Sequence, residues 1–252
     1  LSVVVVVNDW GEFEQHASRS PVRTGQRHEW ILFDNTENRL SGDLCKLYCR
    51  GFEQARGDLV IFAHQDVWFP PGWEQDFEHA LDELARMDPN WGVIGSVGIA
   101  ATATAMSDRA FFGHWCDPAG YRFNGPLPAP VQSLDEQWLC IRRNSGVTFD
   151  ENLPGMHCYG VDICMQARSL GLQSYAIDAF VWHKYLLPDG ARPMAPHESG
   201  KIARRATRAF RDEVQPSYDY VAKKWRDRYP FFSTSMGWVN PAASTGHGDA
   251  AP

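Results

Sequence analysis

Ala55-Arg56-Gly57-Asp58-Leu59-Val60-Ile61-Phe62-Ala63-His64-Gln65-Asp66 runs from the end of a helix through an apolar strand to a polar strand end. A strand wetted on one face alternates apolar and polar residues, whereas Leu59 to Ala63 is apolar throughout and reads as covered on both faces. Upstream, Gly42 to Arg56 places Leu44, Leu47, Tyr48, Phe52 and Ala55 on one helical stripe, with Ser41 or Asp43 as N-cap and Gly57 as the stop. Trp30 to Phe33 and Val3 to Val7 are two more runs of the strand type. Strand, helix and strand within about 30 residues form a βαβ unit, which requires a parallel pairing.

Downstream, Pro70-Pro71 opens a helix carrying Trp73, Phe77, Leu81 and Leu84, and Val93 to Val97 follows as a strand. From Ala101 to Val131 the pattern dissolves into Gly, Pro and aromatic residues, which predicts a functional loop or small insertion. Trp138 to Ile141 reads as a strand, Gly160 to Leu170 as a short helix stopped by Gly171, and Leu172 to Trp182 as a strand ending at His183. Ser199 to Val214 and Ser217 to Arg228 read as two helices split by Pro216, and Asn240 to Pro252 as a frayed tail. The expectation is an α/β domain over residues 1–190, with a mixed, mainly parallel sheet and helices on both faces. A basic helical appendage over 191–239 and a disordered tail over 240–252 complete it.

The formal net charge is −7, in 252 residues that are 44% hydrophobic and 13% aromatic. This composition excludes wholesale disorder and fibrous repeats. Residues 192–228 nonetheless hold 10 Lys or Arg against 5 Asp or Glu. An acidic remainder and the near absence of aromatic residues in the basic helix argue against nucleic acid as a partner. Lys201, Arg204, Arg205, Arg208 and Arg211 share a helix face, which reads either as solvated or as a peripheral contact with an anionic membrane surface. The longest apolar candidate, Trp91 to Met106, is too short and Gly/Thr-rich to cross a bilayer. With no charged n-region ahead of Val3 to Val7, the expected location is cytoplasmic. The six cysteines read as reduced, mostly buried thiols.

In open α/β sheets, ligands bind beyond the carboxyl ends of strands. Those ends supply Asn8-Asp9, Asp34-Asn35, His64-Gln65-Asp66 and His183. Neither the dinucleotide Gly-x-Gly-x-x-Gly nor the P-loop motif is present, so a cation is the natural neutraliser of phosphate charge. Asp66 with His183 suits such a cation. Taken alone, Asp66 also reads as a turn cap before Pro70, and His183 as a satisfied buried histidine.

With these pieces in order, the chain from Val3 to about Lys184 resembles the family-2 glycosyltransferases of the GT-A fold. Matching pieces are Val3 to Val7, Asp34-Asn35-Thr36, Ala55 to Phe62, His64-Gln65-Asp66 in place of Asp-x-Asp, Val67 to Trp73, Phe149-Asp150-Glu151, Tyr159 to Cys164 and Val181-Trp182-His183. The resemblance implies Asp66 and His183 as ligands of Mn²⁺ or Mg²⁺, and Asp162 as general base. It implies inverting transfer of a hexosyl unit from a nucleotide sugar to a glycan, glycolipid or other hydroxyl acceptor, as in polysaccharide biosynthesis. Two departures stand out: His64 replaces the first Asp of the motif, and Val161 the Glu that usually precedes the base. An imidazole there favours Mn²⁺ or a softer ion over Mg²⁺. Donor-side candidates are Asn8, Asp9, Asp34 for ribose hydroxyls, Arg50, His64, Gln65 and Asp135, with the backbone after Val7 for the base. Asp9 and Asp34 also read as Asx-turn residues, Arg50 as a solvated helix-surface cation, and Asp135-Glu136 as an exposed strand-entry pair. Trp115, Tyr121 and Trp138 read either as a sugar-stacking platform or as core. Rival readings are a metal-dependent hydrolase using His64, Asp66 and His183, and a sugar- or nucleotide-binding module on the same fold.

Overall fold

The computed structural model describes residues 1–105, 108, 110–117, 120–183, 208–229, 232–233 and 238–239. Strand β1 (Ser2–Val7) lies between β2 (Glu29–Asp34) and β3 (Leu59–Ala63), parallel to both. Its valines alternate between two cores. Val4 and Val6 face helix α3 (Leu44–Gln54), whereas Val3, Val5 and Val7 share a core with α1 (Trp10–Gln15), α2 (Pro21–Thr24) and α4 (Trp73–Met87). All six residues of β1 are buried, as an uninterrupted β-branched run requires, and each valine contributes about 1.5–3 kcal/mol of burial. Helix α3 approaches closely because Gly51 has no side chain: a Cβ there would stand 2.4 Å from Val4 Cγ1.

The sheet continues through β10 (Trp138–Arg142), β5 (Val93–Gly95), β11 (Ser174–Ala176), β9 (Ala129–Leu134), β6 (Val97–Ala100), β7 (Phe111–Asp117), β12 (Trp182–His183) and β4 (Val67–Trp68). Strand β8 (Gly120–Asn124) pairs with β7 as a hairpin. The sheet is mixed and α/β, as expected, with helices on both faces. Parallel pairing is less extensive than the sequence implies: beyond β2-β1-β3 it occurs only at β5-β11 and β7-β12 among the described residues.

Several sequence expectations change. Val93 to Val97 is two strands, because the chain changes neighbours at Ser96, from β10 and β11 to β7 and β9. Leu172 to Trp182 is likewise split, into β11 and β12. The segment Ala101 to Val131, expected as a functional loop or small insertion, holds the β7–β8 hairpin; in β7 the apolar and aromatic residues fall on both faces, which hides the two-residue period.

Pro216 lies inside one helix, α6 (Arg208–Trp225), and does not divide two. An interior proline costs about 3 kcal/mol. Buried Val214, Val221, Ala222 and Trp225 offset this, with Ser217 Oγ donating to Pro154 O at 2.7 Å. Helix α5 (Tyr159–Ser169) and α6 both pack into the first core. All six cysteines are free and buried. The expected boundary at 190/191, the tail from 240, Lys201, Arg204 and Arg205 lie outside the described residues, and Arg208 and Arg211 are placed by backbone alone.

Candidate metal centre and adjoining cavity

The polar ends of β3 and β12 meet because β12 pairs antiparallel with β4, setting His183 opposite Val67, the neighbour of Asp66. Three donor atoms converge there. His183 Nε2 lies 3.3 Å from Asp66 Oδ1 and 3.3 Å from His64 Nδ1, and His64 Nδ1 lies 3.9 Å from Asp66 Oδ1. Among the described residues this is the one cluster of His, Cys, Asp or Glu spaced to hold a metal. Ligands about 2.0–2.2 Å from one ion stand roughly 3–3.6 Å apart, so the spacing fits with little adjustment.

A hydrogen-bond chain fixes the tautomer of His64. Tyr159 Oη donates to Glu136 O at 3.0 Å, so it accepts the proton of His64 Nε2 at 2.7 Å. The Nδ1 lone pair then points toward Asp66 and His183, the arrangement that an imidazole ligand needs. Two imidazoles and one carboxylate suit Mn²⁺, Fe²⁺ or Zn²⁺ better than Mg²⁺, which prefers oxygen ligands.

Gln65, the middle residue of the turn, serves another purpose. Its Oε1 accepts from the backbone N–H of Asn8 at 2.7 Å and of Asp9 at 2.9 Å, so the backbone groups expected to read a nucleotide base already hold Gln65. Asp9 caps α1 by accepting from Gly11 and Glu12. Asn8 Nδ2 donates to Met156 Sδ at 3.6 Å. Asp34 accepts from Thr36 N and Oγ1 and pairs with Arg39; the Thr36 hydroxyl leads in holding its carboxyl below the usual range. Arg50 sits on the exposed face of α3.

Beyond His183 opens a cavity of about 730 Å³, whose wall includes Asp135, Gln137, Trp115 and Tyr121. Asp135 and Gln137 face it, while Glu136 between them turns toward α5 and accepts from Gly160 N at 3.0 Å. Gly160 allows that approach, since a Cβ there would stand 2.4 Å from Leu134 O and 2.9 Å from Glu136 Cγ. Burial raises the Glu136 carboxyl to about 8. Trp138 is not part of any platform: it is fully buried against Trp73 and Phe77.

Asp162 does not line the cavity. It is 2% exposed; Oδ1 accepts from Trp225 Nε1 at 2.7 Å and Oδ2 from Lys224 Nζ at 2.9 Å. Burial raises its pKa, partly offset by Lys224 and Trp225. Lys224 also donates to Asp150 Oδ2 at 2.7 Å. These α6 partners were missed from the sequence because Lys224 lies 62 residues from Asp162 and resembles its neighbours in a basic helix.

The structure of GalNAc-T7 with UDP, GalNAc and Mn²⁺ matches with a TM-score of 0.54 at 14% identity, covering 90% of this chain and 48% of that one. The fold is that of the GT-A glycosyltransferases. The structure of the mannosyltransferase PcManGT from Pyrobaculum calidifontis in complex with GDP-Man and Mn²⁺ is similar at a TM-score of 0.48 and 14% identity, covering 90% of this chain and 64% of that one. In sequence, the chain is 34% identical over 162 residues to "ATP synthase subunits region ORF 6" of Fuscovulum blasticum, spanning 64% of either chain. No protein-family model matches. No helix among the described residues is long and apolar enough to cross a membrane.

Proposed function

We propose that the protein transfers a hexosyl unit, with inversion, from a nucleoside-diphosphate sugar to a hydroxyl acceptor such as a glycan or glycolipid. The observation that carries this reading is the His64-Asp66-His183 cluster at the strand ends of a GT-A sheet, with a cavity opening beside His183. A cation bound there, Mn²⁺ in preference to Mg²⁺, would supply Lewis-acid stabilisation of the leaving diphosphate. Tyr159 keeps His64 in the ligating tautomer. Gln65 fixes the loop after β1, and Asn8, Asp9, Asp34 and Arg50 belong to the donor side.

The acceptor hydroxyl must lose a proton as it attacks. The resemblance implies Asp162 for this duty, but both its oxygens are engaged by α6, including an ammonium that favours the ionised form. Asp135, on the cavity wall, takes the role in this reading. Asp135→Asn should lower transfer by ~10²–10⁴ with little change in donor affinity. If Asp162→Asn loses turnover at unchanged stability while Asp135→Asn does not, the base is Asp162.

The overall reading is tested by nucleoside diphosphate release from a panel of nucleotide sugars, with and without Mn²⁺. Metal-stimulated release that rises with a glycan acceptor supports it. Hydrolysis indifferent to any acceptor would favour the hydrolase, and nucleotide binding without turnover would favour the binding module.

A further inference from the structure

Resting on the glycosyl-transfer reading, we propose that the acceptor is an acidic glycan, whose sugar ring stacks on Trp115 and whose carboxylate or phosphate is held by Arg122. The pairing of β7 with β8 sets Trp115 directly opposite Arg122 and Gly113 opposite Asn124, so Trp115, Arg122 and Asn124 leave the same face of the hairpin. On the other side of β7, Trp182 pairs with Cys116, which puts His183, one residue on, on the face of Trp115. That face lines the cavity of about 730 Å³ beside the metal-type cluster, a volume within the roughly 300–1,000 Å³ of small-molecule sites. His114, Tyr121 and Phe123 leave the opposite face. There the His114 imidazole bonds Asp178 at 2.5 Å and the Tyr121 hydroxyl at 2.6 Å, and the Phe180 ring centroid lies 4.7 Å away, so the hairpin is held from behind.

Arg122 is the one guanidinium or ammonium on the cavity wall, and no hydrogen bond, ion pair or ring engages it among the described residues. Asp135, on the same wall, does not neutralise it: its Oδ1 accepts from Gln137 N at 3.1 Å. The cavity grades from closed to open, since His183 is 7% exposed and Arg122 lies at the surface. With β7 between them, β8 and β12 stand two strand spacings apart, about 10 Å. A diphosphate held at His183 therefore occupies the inner end, and Arg122 meets what enters from solvent, the acceptor. A guanidinium offers parallel N–H donors that match two oxygens of a carboxylate or a phosphate. Trp115 and Phe111, with ring centroids 6.4 Å apart, supply an apolar surface for the C–H face of a sugar. Asn124 Nδ2 donates to Phe111 O, which leaves Oδ1 to accept from a sugar hydroxyl. A neutral glycan would use the aromatic surface and leave the cation unanswered.

The test is retention of the full chain on a glycan array carrying size-matched neutral, uronate-bearing and phosphorylated oligosaccharides, followed by calorimetric titration with the best-retained anionic glycan and its neutral counterpart. Anionic glycans should be retained above the neutral ones; either anionic arm supports the proposal, and their order names the group. Arg122→Gln should lose at least ~10-fold in affinity for the anionic glycan and none for the neutral one, whereas Arg122→Lys, which keeps the charge without the planar fork, should lose a few-fold. Trp115→Ala should weaken both glycans alike, because stacking is indifferent to charge. Trp115→Phe reads the same contact with a smaller loss where the alanine variant does not fold. Equal retention of neutral glycans, no retention of any anionic glycan, or an unaffected Arg122→Gln would each overturn the proposal. So would a loss of UDP or GDP affinity in Arg122→Gln equal to its loss for the glycan, since Arg122 would then serve the leaving diphosphate. Mn²⁺ binding followed by electron paramagnetic resonance, together with diphosphate release, reads the underlying function separately. Anionic-glycan retention without either sinks transfer and leaves the subsite; turnover without such retention sinks the subsite alone.

Discussion

Asp66 and Asp162 are both nearly withdrawn from water, at 6% and 2% exposure, yet the chain treats them in opposite ways. Asp66 faces two imidazoles, which can act as neutral Lewis bases, so three donor atoms lie within 4.8 Å of one another. Asp162 faces an ammonium and an indole N–H from α6, and its charge is balanced from within the chain. The first arrangement gains from an added cation; the second carries its own. An acidic residue marks a site when its neighbours are also donors of electron pairs, and a structural joint when they are donors of protons.

The sharpest way to break this contrast is Lys224→Met, which strips the cation from Asp162. We expect a loss of about 3–5 kcal/mol in chemical denaturation, larger at pH 8 than at pH 5, where Asp162 can protonate instead. Mn²⁺ affinity of the folded fraction should not move. Asp66→Ala reverses the pattern: metal affinity by calorimetry should fall at least ~10²-fold, while stability changes by about 1 kcal/mol or less. Equal effects of both variants on metal binding would dissolve the distinction. Tyr159→Phe removes the hydroxyl that sets the His64 tautomer, and should lower Mn²⁺ affinity by ~10-fold with the fold intact.

An effect spread over several pH units belongs to Glu136, whose backbone serves the metal centre through Tyr159 and whose carboxyl group caps α5. Its pKa is raised to about 8 from the ordinary 4.5, so between those values the folded state binds more protons than the unfolded one. Stability contributed by the protonated form is complete below about pH 4.5 and is lost as pH rises toward 8. The slope is at most about 1.4 kcal/mol per pH unit. Glu136→Gln should flatten that slope in urea titrations across the same window; an unchanged slope would assign it to other groups.

Much of the fold was legible because burial on both faces leaves a plain mark: Val3 to Val7 and Leu59 to Ala63 could hardly be anything but inner strands. The metal-type cluster was legible for a related reason, since polar residues directly after such runs stand at strand ends. His64, Asp66 and His183 all obey that rule. The hairpin at β7–β8 was not legible, because apolar and aromatic residues fall on both faces of β7, and the partner of His114 there, Asp178, lies 64 residues away. The engagement of Asp162 was hidden too: an isolated helix gives no sign of which of its lysines turns inward. Pro216 misled for an energetic reason, since local propensity lost to tertiary packing.

Helix α6 and the short strand at Phe232–Ser233 also bear on how the protein is made. Phe232 is fully buried in the first core, and Ser233 N donates to Gln132 Oε1, a partner 101 residues earlier. A ribosome releases the chain from its N-terminus at about 5–20 residues per second, so the first core waits for its last wall until residues 208–233 have emerged. During that delay the pocket for Trp225 is open and Asp162 lacks its counter-charge. Of the two faces of the sheet, the one behind α4 can close early, and the one behind α3 and α5 is where a nascent chain would first need a chaperone.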